Sequence, residues 1–408
     1  MRRVVVTGLG AVTPIGNDVE TFWDGLKNGK NGITKVTKFD TTDFKAVLGA
    51  EVKDFDPLLY MDKPAVRKTD LYTQYAMAAA TQAMEDSGIE GKVESDRMGV
   101  YVGAGIGGIN TLCEEHSNLL EKGAKRVSPM FVPKMITNIA AGNIAIKYKL
   151  NGSCLCITTA CATSSHCIGE AYRLIKHGYA DAMVAGGSEA AITPLAFAGF
   201  INCMALSTSE DPETASIPFD ARRSGFIMGE GAGILILEEY EHAVNRGAKI
   251  YCEIGGYGST CDAYHVTAPD MEATWVAKAI EDSVKEAGIE GETNIYVNTH
   301  GTSTPLNDKT ETKALKKAFG ENAYKIYMSS TKSMTGHALG AAGGIEAIAA
   351  VKALCEGIIP PTIGYREADP ECDINCTPNK AVKADICAAL STSLGFGGHN
   401  ASLVFKKI

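Results

Sequence analysis

A cysteine stands where a short β-rich run passes into a helical pattern, in the sequence CITTACATSSH. Cys161 follows small and hydroxyl residues, and the next stretch, HCIGEAYRLIKHG, has the apolar spacing of an amphipathic helix. Most free cysteines are small buried residues without chemistry. At a helix N-terminus, however, unpaired backbone N–H groups and the helix dipole stabilise a thiolate and can hold an oxyanion. Cys161 is therefore a candidate nucleophile.

The partner of this cysteine must come from elsewhere in the chain. His166 is five residues further along the helix, a rotation of ~500°, so its side chain points about 140° away from Cys161. Two other histidines follow strand-like runs in the second half: His300 in NTHGTSTPLND and His337 in STKSMTGHALGAAGG, which also contains Lys332. Imidazoles are the usual general acids, bases and donors near neutral pH. The duplication of the chain, which brings equivalent loops to one cleft, predicts a site that combines Cys161 with these two histidines.

Two glycine-rich segments are also of interest. GAGIGG, residues 103–108, fits G-x-G-x-x-G, but no acidic residue ends a following strand, so a dinucleotide site is not indicated. We expect a loop beside a central cleft instead. In LGFGGHN, Phe396 lies between glycines, so the ring can swing and its backbone N–H can face an oxyanion. No P-loop and no G-x-S-x-G motif occurs.

The chain repeats one pattern of segments twice. AMEDSGIEG precedes the strand-like GVYVGAG, and two hundred residues later SVKEAGIEG precedes NIYVNTHG. Further pairs follow in the same order, such as GAGILILEE and NASLVFKK. Alternating strands and helices predict sheets covered by helices. The repeat predicts two similar halves that divide near Lys249 and bring equivalent loops to one cleft.

The composition excludes several classes of function. The 408 residues carry a net charge of −9, which argues against nucleic-acid or anionic-membrane binding. No apolar run approaches the ~20 residues of a membrane span, and glycines interrupt the N-terminal run MRRVVVTGLGAV, so a cytoplasmic protein is expected. The twelve cysteines lack paired C-x-x-C spacing, and no metal or cofactor is expected.

Four segments, in this order, resemble the β-ketoacyl-[acyl carrier protein] synthases. They are TTAC at Cys161, NTHGTSTPLND at His300, SSTKSMTGHALGAAGG at Lys332 and His337, and GFGGHN at Phe396. The resemblance covers essentially the whole chain and is greatest to the elongating enzymes of type II fatty-acid synthesis. It implies an α/β, thiolase-like fold in which two duplicated βαβαβαββ halves form an α-β-α-β-α core. The halves are then 1–249, with the nucleophile, and 250–408, with the two histidines.

The resemblance also implies roles for individual residues. Cys161 is the acyl-accepting nucleophile, His300 and His337 are the catalytic histidines, and Lys332 supports their charge network. Phe396 serves as oxyanion and gating residue. The substrate is expected to contact Thr302, Thr304 and Ile106, of which the last tunes the depth of the acyl pocket.

The partners implied are acyl- and malonyl-loaded acyl carrier protein and a second copy of the chain. Lys63, Arg67 and Lys68 form a basic patch suited to an acidic carrier, although a solvated helix start explains the same charges. The reaction implied is decarboxylative Claisen condensation, which lengthens an acyl chain by two carbons. A polyketide-type ketosynthase and a catalytically silent dimer partner remain alternatives. A degradative thiolase is disfavoured because GFGGHN lacks that family's second cysteine, although Cys387 lies nearby.

Overall fold

Strands and helices alternate along most of the chain in the computed structural model, which describes residues 1–408. The strands are β1 (Val4–Val12), β2 (Thr34–Lys35), β3 (Leu48–Gly49), β4 (Met98–Gly103), β5 (Cys154–Leu155), β6 (Ala182–Glu189), β7 (Gly231–Glu239), β8 (Cys252–Cys261), β9 (Ile295–Asn298), β10 (Tyr327–Ser329), β11 (Ile358–Ile359), β12 (Val382–Lys383), β13 (Ala388–Gly395) and β14 (His399–Lys406). The helices are α1 (Val19–Lys27), α2 (Lys63–Arg67), α3 (Leu71–Ser87), α4 (Ile109–Lys122), α5 (Phe131–Met135), α6 (Ile139–Tyr148), α7 (Thr163–Lys176), α8 (Pro194–Asn202), α9 (Pro212–Ala215), α10 (Tyr240–Asn245), α11 (Thr274–Ala287), α12 (Pro305–Phe319), α13 (Lys332–Thr335) and α14 (Ala342–Glu356).

The sheets repeat the duplication that the sequence predicted. In the first half the strand order is β1-β7-β6-β4-β5, and in the second half it is β8-β14-β13-β9-β10. In both, the first two pairings are antiparallel and the last two are parallel. Three antiparallel residue pairs between β1 and β8 join the two sheets edge to edge. The two halves therefore share one topology.

Two central helices lie between the sheets. Helix α7 packs against β4, β6 and β7 of the first half and also against β8, β13 and β14 of the second. Helix α14 contacts α7 and strands of both halves, and every residue from Ala342 to Leu354 is buried. Helices α3 and α6 cover the outer face of the first sheet, and α11 and α12 cover the second. The layers are α-β-α-β-α, which confirms the expected thiolase-like fold.

Glycines allow the close approaches that this layering needs. Helices α3 and α11 both end at a glycine in the left-handed conformation, Gly88 with φ 58° and Gly288 with φ 67°. Where α14 crosses β7, a Cβ on Gly233 would lie 2.2 Å from the carbonyl carbon of Gly344. Only glycine at both positions lets the helix backbone touch the strand backbone.

The longer connections lie in the first half. They contain α1 and α2 before α3, α4 to α6 between β4 and β5, and α8 and α9 between β6 and β7. None of the helices has both the length and the apolar character needed to cross a membrane.

Candidate active site

Cys161 lies in a tight turn at the start of the central helix α7. The turn is a 3₁₀ helix, Ala160–Ala162, and Ala160 has φ 50°, which is unusual for a residue with a side chain. Burial raises the pKa of the Cys161 thiol to about 12, while the Lys332 cation and the backbone N–H of Phe396 oppose that rise. The sequence favoured a thiolate stabilised by the helix N-terminus. In the structure burial outweighs that effect, so the resting group is a thiol.

His300 follows strand β9 and is held through its backbone. The N–H groups of His300 and Gly301 each donate to Glu311 of α12, both with N···O distances of 2.7 Å. The His300 N–H also lies 3.2 Å from the hydroxyl of Thr392 on β13. This arrangement fixes the main chain and leaves the imidazole free to face the cavity.

His337 lies between α13 and α14. Its backbone N–H donates to Ile227 O at 2.7 Å, and its carbonyl accepts from Gly229 N at 2.8 Å. The ring is buried, and neither of its nitrogens has a hydrogen-bond partner. The rings of His300 and His337 are nearly perpendicular, with centroids 5.2 Å apart. A buried imidazole without partners is suited to bind a reacting group.

Both imidazoles are neutral at physiological pH. Burial lowers the pKa of His300 and of His337 well below the ordinary value, and the Lys332 cation lowers both further. The ammonium of Lys332 is buried, pairs with Glu346 of α14 and lies 3.4 Å from His300 Nδ1. Burial also raises the pKa of Glu346 to about 7, which the Lys332 cation counteracts. The Lys332 ammonium is thus a positive charge near two neutral rings, and Glu346 is its counter-ion.

The three groups open into one cavity of about 520 Å³. Among the residues that line it are Cys161, His300, His337, Thr302, Thr304, Ile106 and Phe396. The hydroxyls of Thr302 and Thr304 are 2.9 Å apart. Phe396 follows β13 and precedes two glycines of positive φ, so its N–H reaches Cys161 while its ring stays partly exposed. The sequence-predicted chemistry and substrate residues are thus brought together.

The three basic residues lie elsewhere. Lys63 and Arg67 are in the short helix α2, and Lys68 caps its C-terminus. All three are exposed, none forms an ion pair within 4.0 Å, and none lines the cavity. His166 also lies apart, hydrogen-bonded to Thr159 at 2.7 Å and Ser259 at 3.2 Å.

The cysteine and the two histidines are also of the types that bind metals. Their potential ligand atoms all lie within 4.8 Å of one another. The Lys332 cation, 3.4 Å from His300, would repel a metal cation. The arrangement therefore fits acyl transfer better than metal binding.

Family models match both halves of the chain. The model described as the β-ketoacyl synthase N-terminal domain matches residues 1–243, and the C-terminal domain model matches residues 251–366. The chain is a member of the β-ketoacyl synthase family. The family resemblance inferred from the four motifs is confirmed.

Curated relatives match over the full length of this β-ketoacyl synthase. It is 50% identical over 408 residues to 3-oxoacyl-[acyl-carrier-protein] synthase 2 of Synechocystis, covering 100% of this chain and 98% of the relative. It is 49% identical over 407 residues to the protein of that name from Staphylococcus aureus strain COL, with the same coverage.

Solved structures show the same fold. A β-ketoacyl synthase from Burkholderia phymatum superposes with a TM-score of 0.92 at 34% identity, covering 100% of both chains. A type II polyketide ketosynthase, solved in complex with its acyl-carrier protein and bound to the hexaketide, has a TM-score of 0.93 at 36% identity, again with full coverage of both chains.

Sequence reasoning did not single out three buried carboxylates of this β-ketoacyl synthase. Glu311 holds the His300 backbone, Glu346 pairs with Lys332, and Glu189 binds the loop that carries Ile106. Glu346 is the one charged residue in GGIEAIAAV, and Glu189 ends a buried strand, so both had a visible signal. Glu311 had none, because it stands in the charged segment NDKTETKALKK.

Proposed function

We propose that this chain is an elongating 3-oxoacyl-[acyl-carrier-protein] synthase, in which residues 1–249 supply the nucleophile and residues 250–408 supply two histidines. The observation that carries the proposal is the convergence of a thiol and two neutral imidazoles within 4.8 Å at one end of a largely apolar cavity. The full-length relatives that are about 50% identical carry that activity in their names.

The first half-reaction transfers an acyl group to Cys161. The thiol proton passes to a neutral imidazole, for which His337 is available because both its ring nitrogens lack partners. The sulfur attacks the acyl thioester carbonyl, and the N–H groups of Cys161 and Phe396 stabilise the oxyanion. The tetrahedral intermediate collapses, the carrier thiolate leaves, and it takes the proton back from the imidazolium.

The second half-reaction forms the carbon–carbon bond. Malonyl-carrier replaces the free carrier, and its carboxylate leaves as CO₂ while the bonding electrons pass into a thioester enolate. His300 and His337 donate N–H hydrogen bonds to the enolate oxygen, because neutral rings at this pH each carry one N–H. The enolate carbon attacks the acyl-Cys161 carbonyl, the bond from that carbonyl to the Cys161 sulfur breaks, and the released thiolate takes up one proton from solvent. The product is a β-ketoacyl thioester two carbons longer.

Other residues assist by position. Lys332, paired with Glu346, keeps both imidazoles neutral, since its charge disfavours an imidazolium beside it. Thr302 and Thr304 present adjacent hydroxyls that suit the malonyl group or the pantetheine arm. Ile106 forms part of the wall against which the acyl chain lies.

The carrier docks on exposed cations. Lys63, Arg67 and Lys68 are free of internal ion pairs, so their charges are available to an acidic partner. The acyl-carrier protein complex of the structurally similar polyketide ketosynthase supports a carrier protein as the partner.

The decisive experiment is peptide mass spectrometry of the full-length protein after incubation with acyl-carrier protein. The wild type should acquire an acyl adduct on the Cys161 peptide, and addition of malonyl-carrier should remove the adduct as β-ketoacyl product forms. Cys161→Ala should show neither adduct nor product, whereas Cys355→Ala, which removes an exposed cysteine outside the cavity, should behave as the wild type. Product formation by Cys161→Ala would refute the proposal.

A polyketide-type ketosynthase is the second candidate, because one structural neighbour is a type II polyketide ketosynthase and another is the ishigamide ketosynthase/chain length factor. They are 36% identical to this chain, compared with about 50% for the fatty-acid relatives. Repeated extension of one chain without intervening reduction would favour this candidate. A silent dimer partner would never acylate Cys161, and the mass spectrum distinguishes that case directly.

The proposal includes a homodimer. Strand β5 lies at the edge of the first sheet, and Leu155 on it is 51% exposed. The adjacent elements α4, α5 and α6 carry further exposed apolar side chains, namely Leu112, Leu119, Leu120, Val132 and Ile146. An exposed edge strand flanked by apolar residues favours pairing with a second copy.

A further inference from the structure

The buried carboxylate of Glu189 is unusual for its hydrogen-bond partners. It ends strand β6, is fully buried and accepts from four backbone N–H groups without any cation. Three donors are consecutive: Gly105 at 2.8 Å, Ile106 at 3.1 Å and Gly107 at 3.0 Å. The fourth is Gly340 at 3.1 Å, which belongs to the second half. Consecutive N–H groups that converge on one anion form a preorganised anion site.

The two bound segments both line the cavity. Ile106 belongs to the loop after β4, whereas Leu339 immediately precedes Gly340, and both line the cavity together with Cys161. The segments touch backbone to backbone, because a Cβ on Gly340 would lie 2.2 Å from Gly105 N and 2.8 Å from Glu189 Oε2. The carbonyl of Gly340 also accepts from Ser164 of α7. Glu189 therefore joins the acyl-pocket wall of one half to the segment that begins at His337 in the other.

The duplication shows why this junction matters. Gly340 is the middle residue of the 3₁₀ turn Leu339–Ala341 before α14, as Cys161 is the middle residue of Ala160–Ala162 before α7. The residues before them, Leu339 and Ala160, have φ values of 47° and 50°. Gly340 thus occupies the position in the second half that the nucleophile occupies in the first.

We propose that Glu189 is a positioning residue that sets acyl-chain selectivity and condensation geometry by fixing Ile106 against the His337–Gly340 segment. This inference rests on the proposed function and assigns a further residue to it. Burial raises the pKa of Glu189 to about 7, and the four N–H groups oppose that rise because they stabilise the carboxylate. Both oxygens are used: Oε2 accepts from Gly105, Ile106 and Gly340, and Oε1 accepts from Ile106 and Gly107.

The isosteric variant Glu189→Gln tests the proposal directly. Whichever way the amide is turned, its NH₂ group faces backbone N–H donors, so at least one wall segment must move. The variant should lose condensation about tenfold or more, because small displacements of reacting groups are costly. It should also change the ratio of kcat/KM for hexanoyl- over myristoyl-[acyl carrier protein] by about tenfold, since one pocket wall shifts. Amide hydrogen exchange at residues 105–107 and at Gly340 should accelerate in the same protein.

The matched control is Glu238→Gln. Glu238 is another fully buried carboxylate in the same sheet, on strand β7. It lies opposite Ala182, at the far end of β6 from Glu189, and its carboxylate binds Arg246 and His242. This variant should lose thermal stability without changing the chain-length ratio. A chain-length ratio that is unchanged in Glu189→Gln, or changed equally in both variants, would overturn the proposal.

Two further outcomes separate the proposals. If the wild type forms no β-ketoacyl product, the proposed function fails. If the wild type is active but Glu189→Gln keeps its ratio and its amide protection, only the role of Glu189 fails. Should Glu189→Gln not fold, Glu189→Asp, which keeps the charge on a shorter side chain, takes its place in the same assays. Failure of both variants to fold would overturn the proposal in favour of a purely structural residue.

Discussion

At the scale of single residues, the proposed mechanism assigns the two half-reactions to different groups. We expect His300→Ala to retain acylation of Cys161 and to lose condensation by about 10²- to 10³-fold, since the enolate loses one of its two donors. Intact-mass spectrometry measures the acyl adduct, and chromatography of the β-ketoacyl product measures condensation. His177→Ala is the control, because His177 is exposed at the other end of α7 and should retain both activities. Loss of acylation in His300→Ala would contradict the division of roles.

The buried histidines also make stability depend on pH. Their pKa values in the folded protein lie well below 6.5, so below that pH the unfolded chain binds protons that the folded chain does not. Stability must therefore fall as the pH falls below 6.5, by about 1.4 kcal/mol per pH unit for each histidine. Above that pH both the folded and the unfolded protein carry neutral rings, so these histidines no longer make the stability depend on pH.

Urea unfolding of the wild type and of His337→Gln, compared from neutral pH downwards, isolates one of these histidines. The free energy of unfolding of His337→Gln should decline less steeply below pH 6.5, with a slope difference of about 1.4 kcal/mol per pH unit. Parallel declines would mean that the folded protein protonates His337 in this range.

The convergence of Cys161, His300 and His337 at one cavity was predictable because these residues stand where strand patterns end. Cys161, His300 and His337 each follow a strand-like run, and nearby glycines mark the tight turns. The protonation state was not predictable, because burial of the thiol depends on packing across both halves. The partners Glu311 and Glu346 were also missed, because Glu311 stands in a charged segment and the pairing of Glu346 with Lys332 depends on how α13 packs against α14.

At the scale of elements, the contact of α14 with β7 depends on two facing glycines. A Cβ on Gly233 would lie 2.2 Å from the carbonyl carbon of Gly344, and neither backbone can move without disturbing a central layer. We expect Gly233→Ala to lower the free energy of unfolding by about 3 kcal/mol, the upper range for overpacking. Denaturant unfolding monitored by circular dichroism measures this loss.

The same substitution at Gly199 is the matched control. Gly199 is within helix α8, and a Cβ there would meet nothing within 4 Å. Gly199→Ala should raise stability by about 0.5–1 kcal/mol, because alanine is the better helix former and restricts the unfolded chain. If Gly233→Ala were equally harmless, the close helix–strand contact would not exist in solution.

The repeated order of the elements could be predicted, whereas their spatial arrangement could not. The two helices that end at the repeated GIEG are α3 and α11, and the strands expected after them are β4 and β9. The repeated segments GAGILILEE and NASLVFKK form β7 and β14, as expected. The strand orders and the burial of α7 and α14 between two sheets could be seen only in the structure. Sequence periodicity does not show which strands pair or which helices lie between the sheets. The short helices α2, α5 and α9 have too few residues to show a period.

At the scale of the whole molecule, one group of exposed apolar side chains lies beside the open edge of the first sheet. Six large ones fall between Leu112 and Leu155, on elements that contact one another and end at the open edge of the first sheet. The opposite edge of that sheet, β1, is already paired with β8 of the second half. A second copy that pairs with β5 would therefore bury these residues and close the free edge.

This arrangement predicts that Leu155→Arg converts the dimer into a monomer. A charge at the centre of an apolar interface loses its hydration without gaining a partner, a cost large enough to prevent association. Leu59→Arg is the control, because Leu59 is 74% exposed but lies outside that region, in the turn Pro57–Leu59. Sedimentation equilibrium should give a dimer for the wild type and for Leu59→Arg, and a monomer for Leu155→Arg. A dimer that persists in Leu155→Arg would place the interface elsewhere, and a monomeric wild type would refute the homodimer itself.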